Sequence, residues 1–488
     1  MNDATMTAER LVRRFARETN LLVAGRRFSV SGTDAVADAL RQLLASLGAH
    51  LDASLDASLD QAGVVFAPGD AVDIRMDGHP LPVRDTAEKR VDLAGAHMTV
   101  STDLARALRE SLVVRGVRIG IAMVLEPKTA QLALLLRDAG ADVAVYAHPD
   151  EIDVEVAAVL RARGIPVDGD PALSGAAERA AAVAFLRRGL DLLLDDGSHV
   201  IRLAHEEGLA ASLRGAAEET TSGLAPLRRM QRDGVLDIPV IAVNDAQTKT
   251  SFDNRYGTGQ SCVFAIADAL DAVGIAMRDQ PAVVVGYGPV GEGVAAHLRA
   301  LGARVSVAEA DAVRALRAAH DGYAVASLRE LAPGALVISA TGAPHTVGAD
   351  VVATAAIVAV AGGVPHEVDV DLTSLRPYAG AHGETSPHVD RAGDGALLIA
   401  RGGCVNLAAA EGNPIEIMDL SFAVQLGAVA HLLTSTLPPG VHAFPAAADQ
   451  EIAAAALAVR GEHLDEPSRA QVAAQREWRS PRFAGVDA

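Results

Sequence analysis

The stretch from Pro281 to Asp311 constrains this chain more than any other. Residues 282–285 are a short apolar run suited to a strand buried on both faces. Gly286-Tyr287-Gly288-Pro289-Val290-Gly291 follows at once as G-x-G-x-x-G. In that pattern the first glycine permits a tight turn and the second lets the backbone approach a pyrophosphate. The third lets helix and strand pack closely. Val294, Leu298 and Leu301 then recur at helical spacing, Gly302 ends the helix, and Val305 and Val307 open a second strand. Glu309 lies about 20 residues past the glycines, where a carboxylate accepts from adenosine ribose hydroxyls and repels a 2′-phosphate. Strand, glycine turn, helix, strand and acid together predict a Rossmann unit that binds NAD.

Directly upstream, residues 244–261 read NDAQTKTSFDNRYGTGQS, a run dense in groups able to do chemistry. Lys249 precedes Asp253 by four residues. A lysine near a carboxylate and a cofactor can have the tuned pKa that general-base work needs. An exposed helical ion pair is the alternative for that spacing. The neighbouring polar groups and the cofactor turn favour redox chemistry on a hydroxyl.

Residues 101–243 alternate strand patterns (115–123, 141–146, 190–194) with helical ones (128–139, 154–163, 180–189). Such alternation predicts a parallel sheet wound on both faces, with ligand groups at the carboxyl ends of its strands. Asp195-Asp196-Gly197, Glu218-Glu219-Thr220-Thr221-Ser222 and residues 244–254 all fall at such ends. Each alone reads as a cap or turn; three on one sheet edge predict a site. The expected class is therefore α/β: two doubly wound parallel-sheet domains with an extra N-terminal αβ segment. Expected bounds are 1–100 for that segment, 101–245 for a substrate-binding domain and 246–405 for the Rossmann domain. Residues 406–488 are expected as helices returning to the substrate domain, with a loop at 438–445 and a last helix at 450–460. In the opening segment, residues 21–52 read as strand–turn–helix–strand, with Gly32 and Gly48 spaced like Gly286 and Gly302. Asp34 and Ala37 stand where a phosphate-binding turn has its later glycines, so this unit reads as a structural echo. The acidic tandem LDASLDASLD at 51–60 reads as a helix edge or loop.

Composition closes off other classes. A net charge of −19 argues against nucleic acid or an anionic membrane as partner. Cys262 and Cys404 are the only cysteines, which predicts neither a disulfide framework nor a thiolate zinc site, and no metal is expected. No uninterrupted apolar span is read as long enough for a bilayer, and the first residues are no secretory signal; a cytoplasmic enzyme is the expectation.

LDDG at 194–197, EETTSG at 218–223, VNDAQTKTSFDNRYGTGQS at 243–261, VVVGYGPVGEGVA at 283–295 and VNLAAAEGNPIEIMDLSFA at 405–423 resemble the adenosylhomocysteinase family, in family order. The resemblance runs from about Arg115 to the C-terminus and leans towards the shorter archaeal and thermophile members, which share YGTGQS. It implies a bound NAD that takes hydride from the ribose 3′-carbon, so that the resulting ketone acidifies the C4′ hydrogen. The C5′ substituent then leaves by β-elimination, water adds, and the ketone is reduced again. It implies that Lys249 activates the 3′-hydroxyl with Asp253 beside it. Asp196 handles the C4′ proton, Glu219 holds the ribose and Asn254 lies on the nicotinamide side. Thr220, Thr221 and Ser222 offer hydroxyls to the cofactor and Asn406 an amide. Gly286, Gly288, Pro289, Val290, Gly291, Glu309 and Gly362 complete the cofactor set. A nucleoside substrate and a homotetramer are implied as well.

Three family histidines are missing. Val124 stands in the place of the histidine of HLE or HMT, Gly363 in that of GHF, and Asn413 in that of GHP. The family AEGR before VNL is altered to Ala400-Arg401-Gly402-Gly403. His97-Met98-Thr99 mimics HMT but lies too far upstream, and reads as a loop or first-turn feature. His199, His345 and His366 are local histidines for which a surface or capping role is the better reading. The oxidation apparatus is kept while groups near the base, leaving group and water are not. The expectation is a divergent member that oxidises a nucleoside at 3′, eliminates at C5′ and omits water addition, such as a 4′,5′-dehydratase. Ordinary adenosylhomocysteine hydrolysis, a non-catalytic NAD-binding regulator using residues 1–100, and a simple dehydrogenase releasing NADH stay open.

Overall fold

The computed structural model describes residues 3–52, 63–70, 73–364, 366–479 and 482. From residue 53 on, the acidic tandem lies outside the described residues. Three sheets organise the chain.

The first large sheet has seven strands, all parallel. Across it lie Val167–Asp168, Asp142–Tyr146, Arg118–Ala122, Leu192–Asp195, Gly215–Glu218, Pro239–Ala242 and Gly440–Ala443. The chain order reverses between Arg118–Ala122 and Leu192–Asp195. Such a switch point leaves a crevice at the carboxyl ends of the strands, because the connecting helices diverge to opposite faces there. Asp195-Asp196 sits at that crevice. Gly440–Ala443 corrects the loop expected at 438–445. It pairs in parallel with Pro239–Ala242 and closes the sheet edge. The next helix, Ala446–Val459, starts before the position expected.

The second large sheet carries the glycine turn. Ala324–Val325, Arg304–Ala308, Pro281–Val285, Leu336–Ser339, Ile357–Val360 and Leu397–Ile399 are parallel, in the 3-2-1-4-5-6 order of a dinucleotide-binding sheet. Thr385–Ala392 and Leu375–Ala379 extend it as antiparallel strands, so this sheet is mixed rather than wholly parallel.

The opening segment forms its own five-stranded sheet, in which Arg27–Val30 pairs in parallel with His50–Leu51 and Val64–Phe66. The helix between them, Ala35–Ser46, is capped by Asp34, whose carboxylate accepts from Ala37 N at 2.8 Å. A capped N-terminus offers its amides to a side chain already present. The strand–turn–helix–strand order expected over residues 21–52 is present, with its first strand starting at Arg27 and Leu21–Ala24 lying ahead of it. Leu21–Ala24 is a buried irregular segment tied to Gln260, which accepts from Val23 N at 2.8 Å and donates to Leu21 O at 3.0 Å.

Residue 100 does not separate two packed bodies. The helices Ala87–His97 and Thr99–Ser111 abut through Met98, and Gln131 on the substrate-side helix Pro127–Asp138 donates to Val91 O at 2.8 Å. His97 therefore ends a helix rather than opening one.

The helix Ile415–Thr434 is long and apolar enough by length and composition to cross a bilayer, although Glu416, Asp419 and Gln425 interrupt its apolar run. Here it is mostly buried in protein. Its Asp419 accepts from Val100 N and Ser101 N at 2.9 and 2.7 Å, and its Ser421 and Gln425 hold Glu219.

Candidate active site

Lys249 is the centre of the polar cluster. It lies on the short helix Gln247–Thr250, anchored by Asp449, whose carboxylate accepts from Gln247 N at 2.7 Å and Thr248 N at 3.1 Å. A single wide turn, Asp253–Gly257, follows, in which Gly257 N reaches back to Phe252 O. Such a π-type turn spreads the backbone and recurs at functional sites. It swings Asp253 back toward Lys249, leaving Nζ 2.8 Å from Asp253 Oδ2 and 4.0 Å from Glu219 Oε1. Nζ also donates to Asn254 Oδ1 at 3.2 Å and Asn244 Oδ1 at 3.4 Å. At 2% exposure this is no solvated helical ion pair.

Burial pulls the Lys249 ammonium down, but the carboxylates of Asp253, Glu219 and Asp196 outweigh it and raise it above the ordinary lysine value. Lys249 is thus an ammonium in this state; the sequence suggested a tuned pKa without its direction. Burial raises Glu219 to about 7 against the opposing pull of Lys249, Ser421 and Gln425. Asp196 is likewise raised, first by burial, with Lys249 opposing.

Asp196 is placed by two buried carboxylates that the sequence reading treated only as part of their motifs. Asp195 accepts from Val200 N and Ile201 N at 3.0 and 2.7 Å. Glu218 accepts from Gly197 N and Ser198 N at 3.0 and 2.8 Å. Together they fix the turn after strand Leu192–Asp195, and Asp196 N donates to Ala122 O at 3.0 Å across the switch point. Thr220 caps the helix Thr221–Arg232 and donates to Glu218 at 2.7 Å. Ser222 donates to Thr220 at 3.3 Å, and Thr221 to Asn244 at 3.0 Å.

Asn413 binds the site from the C-terminal side. Its Nδ2 donates to Asp253 Oδ1 at 2.6 Å and to Thr258 Oγ1 at 3.0 Å. Its Oδ1 accepts from Ser261 Oγ at 2.7 Å and from Asn406 Nδ2 at 3.0 Å. An amide thus fills the place of an imaginable imidazole with every polar atom used. Asn406, expected on the cofactor, is engaged with Asn413 and accepts from Cys404 Sγ at 2.9 Å. Val124 is half-buried beside Asp196's strand. Its carbonyl accepts from Thr129 Oγ1 at 2.7 Å, which leaves only an apolar side chain to offer the crevice.

The glycine turn is built for close approach. A Cβ on Gly291 would lie 1.9 Å from Gly286 O, so no side chain fits there. Gly288 leads into the helix Pro289–Ala300 with no side-chain cap, leaving the amides of Val290 and Gly291 without a competing side-chain acceptor. Glu309 accepts from Tyr287 N at 2.5 Å and Asp311 N at 2.8 Å, which orients its carboxylate at the turn. Gly362 abuts Gly342 N, and the buried Glu367 joins the two strand ends by accepting from Ser339 Oγ at 2.5 Å and Thr341 Oγ1 at 3.1 Å. These features fit a dinucleotide. The two large sheets meet at their carboxyl edges: burial pushes the Cys404 thiol up to about 12, and Glu367 on its own side and Asp196 and Glu151 across the crevice add to it.

The description "S-adenosyl-L-homocysteine hydrolase, NAD binding domain" matches residues 254–412. An adenosylhomocysteinase of Archaeoglobus fulgidus is 36% identical over 401 residues, covering 80% of this chain and 98% of the relative. This chain belongs to the adenosylhomocysteinase family. A Thermotoga maritima adenosylhomocysteinase is 34% identical, covering 81% of this chain and 100% of the relative. An S-inosyl-L-homocysteine hydrolase of Methanopyrus kandleri is 36% identical, covering 80% and 94%. Coverage of 80% exceeds the stretch from Arg115 onward, so family likeness begins upstream of the start read from motifs, as the packing of the helices before it agrees. NAD is the cofactor this family's second sheet is shaped for, and the turn, Glu309 and the uncapped helix fit it here.

Proposed function

We propose that this chain is an NAD-dependent enzyme that oxidises the 3′-hydroxyl of an adenosine-type nucleoside and drives β-elimination at C5′, as a nucleoside 4′,5′-dehydratase. The observation that carries the reading is the intact cluster of buried Lys249, Asp253 and Glu219 with half-buried Asp196, in a chain whose three family histidine places hold Val124, Gly363 and Asn413.

Bound NAD supplies a hydride acceptor; the chain supplies the proton handling. Lys249 meets the 3′-oxygen and must first give up a proton, and Glu219, at about 7, is the neighbour able to hold it. Asp253, fixed by Asn413, keeps Nζ aimed at the sugar. Asp196 takes the C4′ proton once the neighbouring carbon is a ketone, a task suited to a carboxylate raised toward neutrality. Asn254, bonded to Lys249, faces the nicotinamide side. Thr220, Thr221, Ser222, Asn406, Gly362, Glu309 and the glycine turn line the path of the dinucleotide. The family resemblance extends the proposal to a cytoplasmic homotetramer.

Ordinary hydrolysis of a nucleosyl-homocysteine is the second reading, favoured by the names of the relatives. Incubating the pure protein with S-adenosylhomocysteine and assaying free thiol separates the two. Slow thiol release with a 4′,5′-unsaturated product from adenosine or inosine is expected; rapid homocysteine release overturns the dehydratase reading. Bound NAD that is never reduced by any adenine nucleoside would instead favour a regulatory homologue.

A further inference from the structure

The loop after strand Asp142–Tyr146 brings Glu151 to the crevice from the side opposite Asp196. Its backbone fixes the position. Leu125 N donates to Glu151 O at 2.9 Å, and Leu125 and Ile152 form a parallel bridge. On the other flank Asp196 N donates to Ala122 O at 3.0 Å. Val124, in the first of the missing histidine places, therefore lies between a carboxyl on each neighbouring strand end. The Glu151 side chain is half-buried and takes no hydrogen bond or ion pair from the described residues. The charges facing it are those of Asp196, Asp150, Asp195 and Glu178. Beside it His148 is held by Glu178 at 2.9 Å and meets His199 edge-on at 5.2 Å, whose ring packs over Gly197.

We infer that Glu151 is the general acid for the C5′ leaving group, and that the group it serves is an uncharged oxygen substituent, a hydroxyl leaving as water. This rests on the proposed oxidation and elimination at the same site. Burial first, and then those four carboxylates, raise Glu151 to about 8, so it holds a proton at neutral pH. A hydroxyl needs that proton in order to leave. A phosphate at C5′ would meet the carboxylates of Asp150, Glu178 and Asp196 instead, which disfavours an anionic substituent. The step balances. Asp196 takes the C4′ proton, the C4′–C5′ π bond forms from that electron pair, the C5′–O bond breaks, and the oxygen takes the Glu151 proton and departs as water. The proton on Asp196 then passes to Glu151, restoring both, and as the 3′-carbon regains hydride the 3′-oxygen takes back the proton held by Lys249 and Glu219.

The test compares the wild-type holoenzyme with Glu151→Gln on adenosine, inosine and 5′-chloro-5′-deoxyadenosine, whose chloride needs no proton to leave. Reduced-nicotinamide absorbance and unsaturated product are both followed. Glu151→Gln is expected to reduce the bound cofactor as the wild type does, to eliminate chloride at an unchanged rate, and to lose about 10²- to 10⁴-fold in water elimination. Wild-type water elimination should decline as pH rises through about 8, and the variant should lack that limb. Equal water elimination by both proteins, an equal loss with chloride, or oxidation by the wild type without water loss overturns the role of Glu151 and leaves the oxidation site standing. No cofactor reduction by the wild type with any of the three overturns the oxidation reading and this inference with it.

Discussion

Lys249 holds its place because three carboxylates surround it, and they in turn are tolerable inside the protein because it is there. Lys249→Met should abolish 3′-oxidation, a loss of at least about 10²-fold, and should leave Asp253 and Glu219 as buried charges without a counter-cation, a destabilisation of about 3–5 kcal/mol. Single-turnover absorbance and thermal melting read the two effects; retained oxidation would remove Lys249 from the mechanism. Asn413→Ala takes from Asp253 a charge-assisted donor at 2.6 Å, and the expected cost is about tenfold to a hundredfold in oxidation. At this scale the sequence was informative about identity and less so about state. Lys249, Asp253, Glu219 and Asp196 were legible because their motifs are long, and the structure brings the four together. The direction of the Lys249 shift was not, since it depends on Glu219 and Asp196, some thirty and fifty residues upstream. Asn413 was noticed only as an absent histidine; that its amide would bridge Asp253, Thr258, Ser261 and Asn406 needed the fold.

The catalytic turn is held between elements far apart in sequence. Gly293 lets the helix Pro289–Ala300 press on the Asp253–Gly257 turn: an added Cβ would lie 1.9 Å from Arg255 O. Gly293→Ala should therefore push cofactor helix and catalytic turn apart, and slower oxidation with NAD still bound is the expected outcome of a cofactor-content and single-turnover measurement. On the other side, residues 409–414, which carry Asn413, are pinned by the opening segment. Ile415 N donates to Asn20 O at 2.9 Å, and the buried Lys128 donates to both Asn20 Oδ1 at 3.2 Å and Glu411 O at 2.6 Å. Strands and helices with regular spacing were readable in the sequence. Gly440–Ala443 was not, because a four-residue edge strand between a proline-rich turn and a helix has no period of its own. The antiparallel pair at 375–392 was missed because nothing local distinguishes it from another αβ crossover.

Over the whole molecule, burial leaves a store of protons with a defined pH signature. Burial raises Glu151 to about 8 and Glu219 to about 7, raises Asp195 as well, and lowers the buried His297. Below about pH 6.5 the signs oppose, because unfolded histidine takes a proton that the folded chain refuses. Between about pH 6.5 and 8 the carboxyls act alone. The folded chain keeps protons the unfolded chain has lost, so stability falls as pH rises, by up to about 1.4 kcal/mol per pH unit for each group. Thermal midpoints across that range should decrease; a rise would mean the carboxyls are ionised in the fold. The most direct test of the account is rapid mixing of the NAD-loaded protein with adenosine or inosine while reduced-nicotinamide absorbance is followed. The account predicts a rise that stays within one equivalent per chain, decays as product forms, and is missing in Lys249→Met. Absorbance that never rises, or that climbs past one equivalent as free reduced cofactor accumulates, would contradict it.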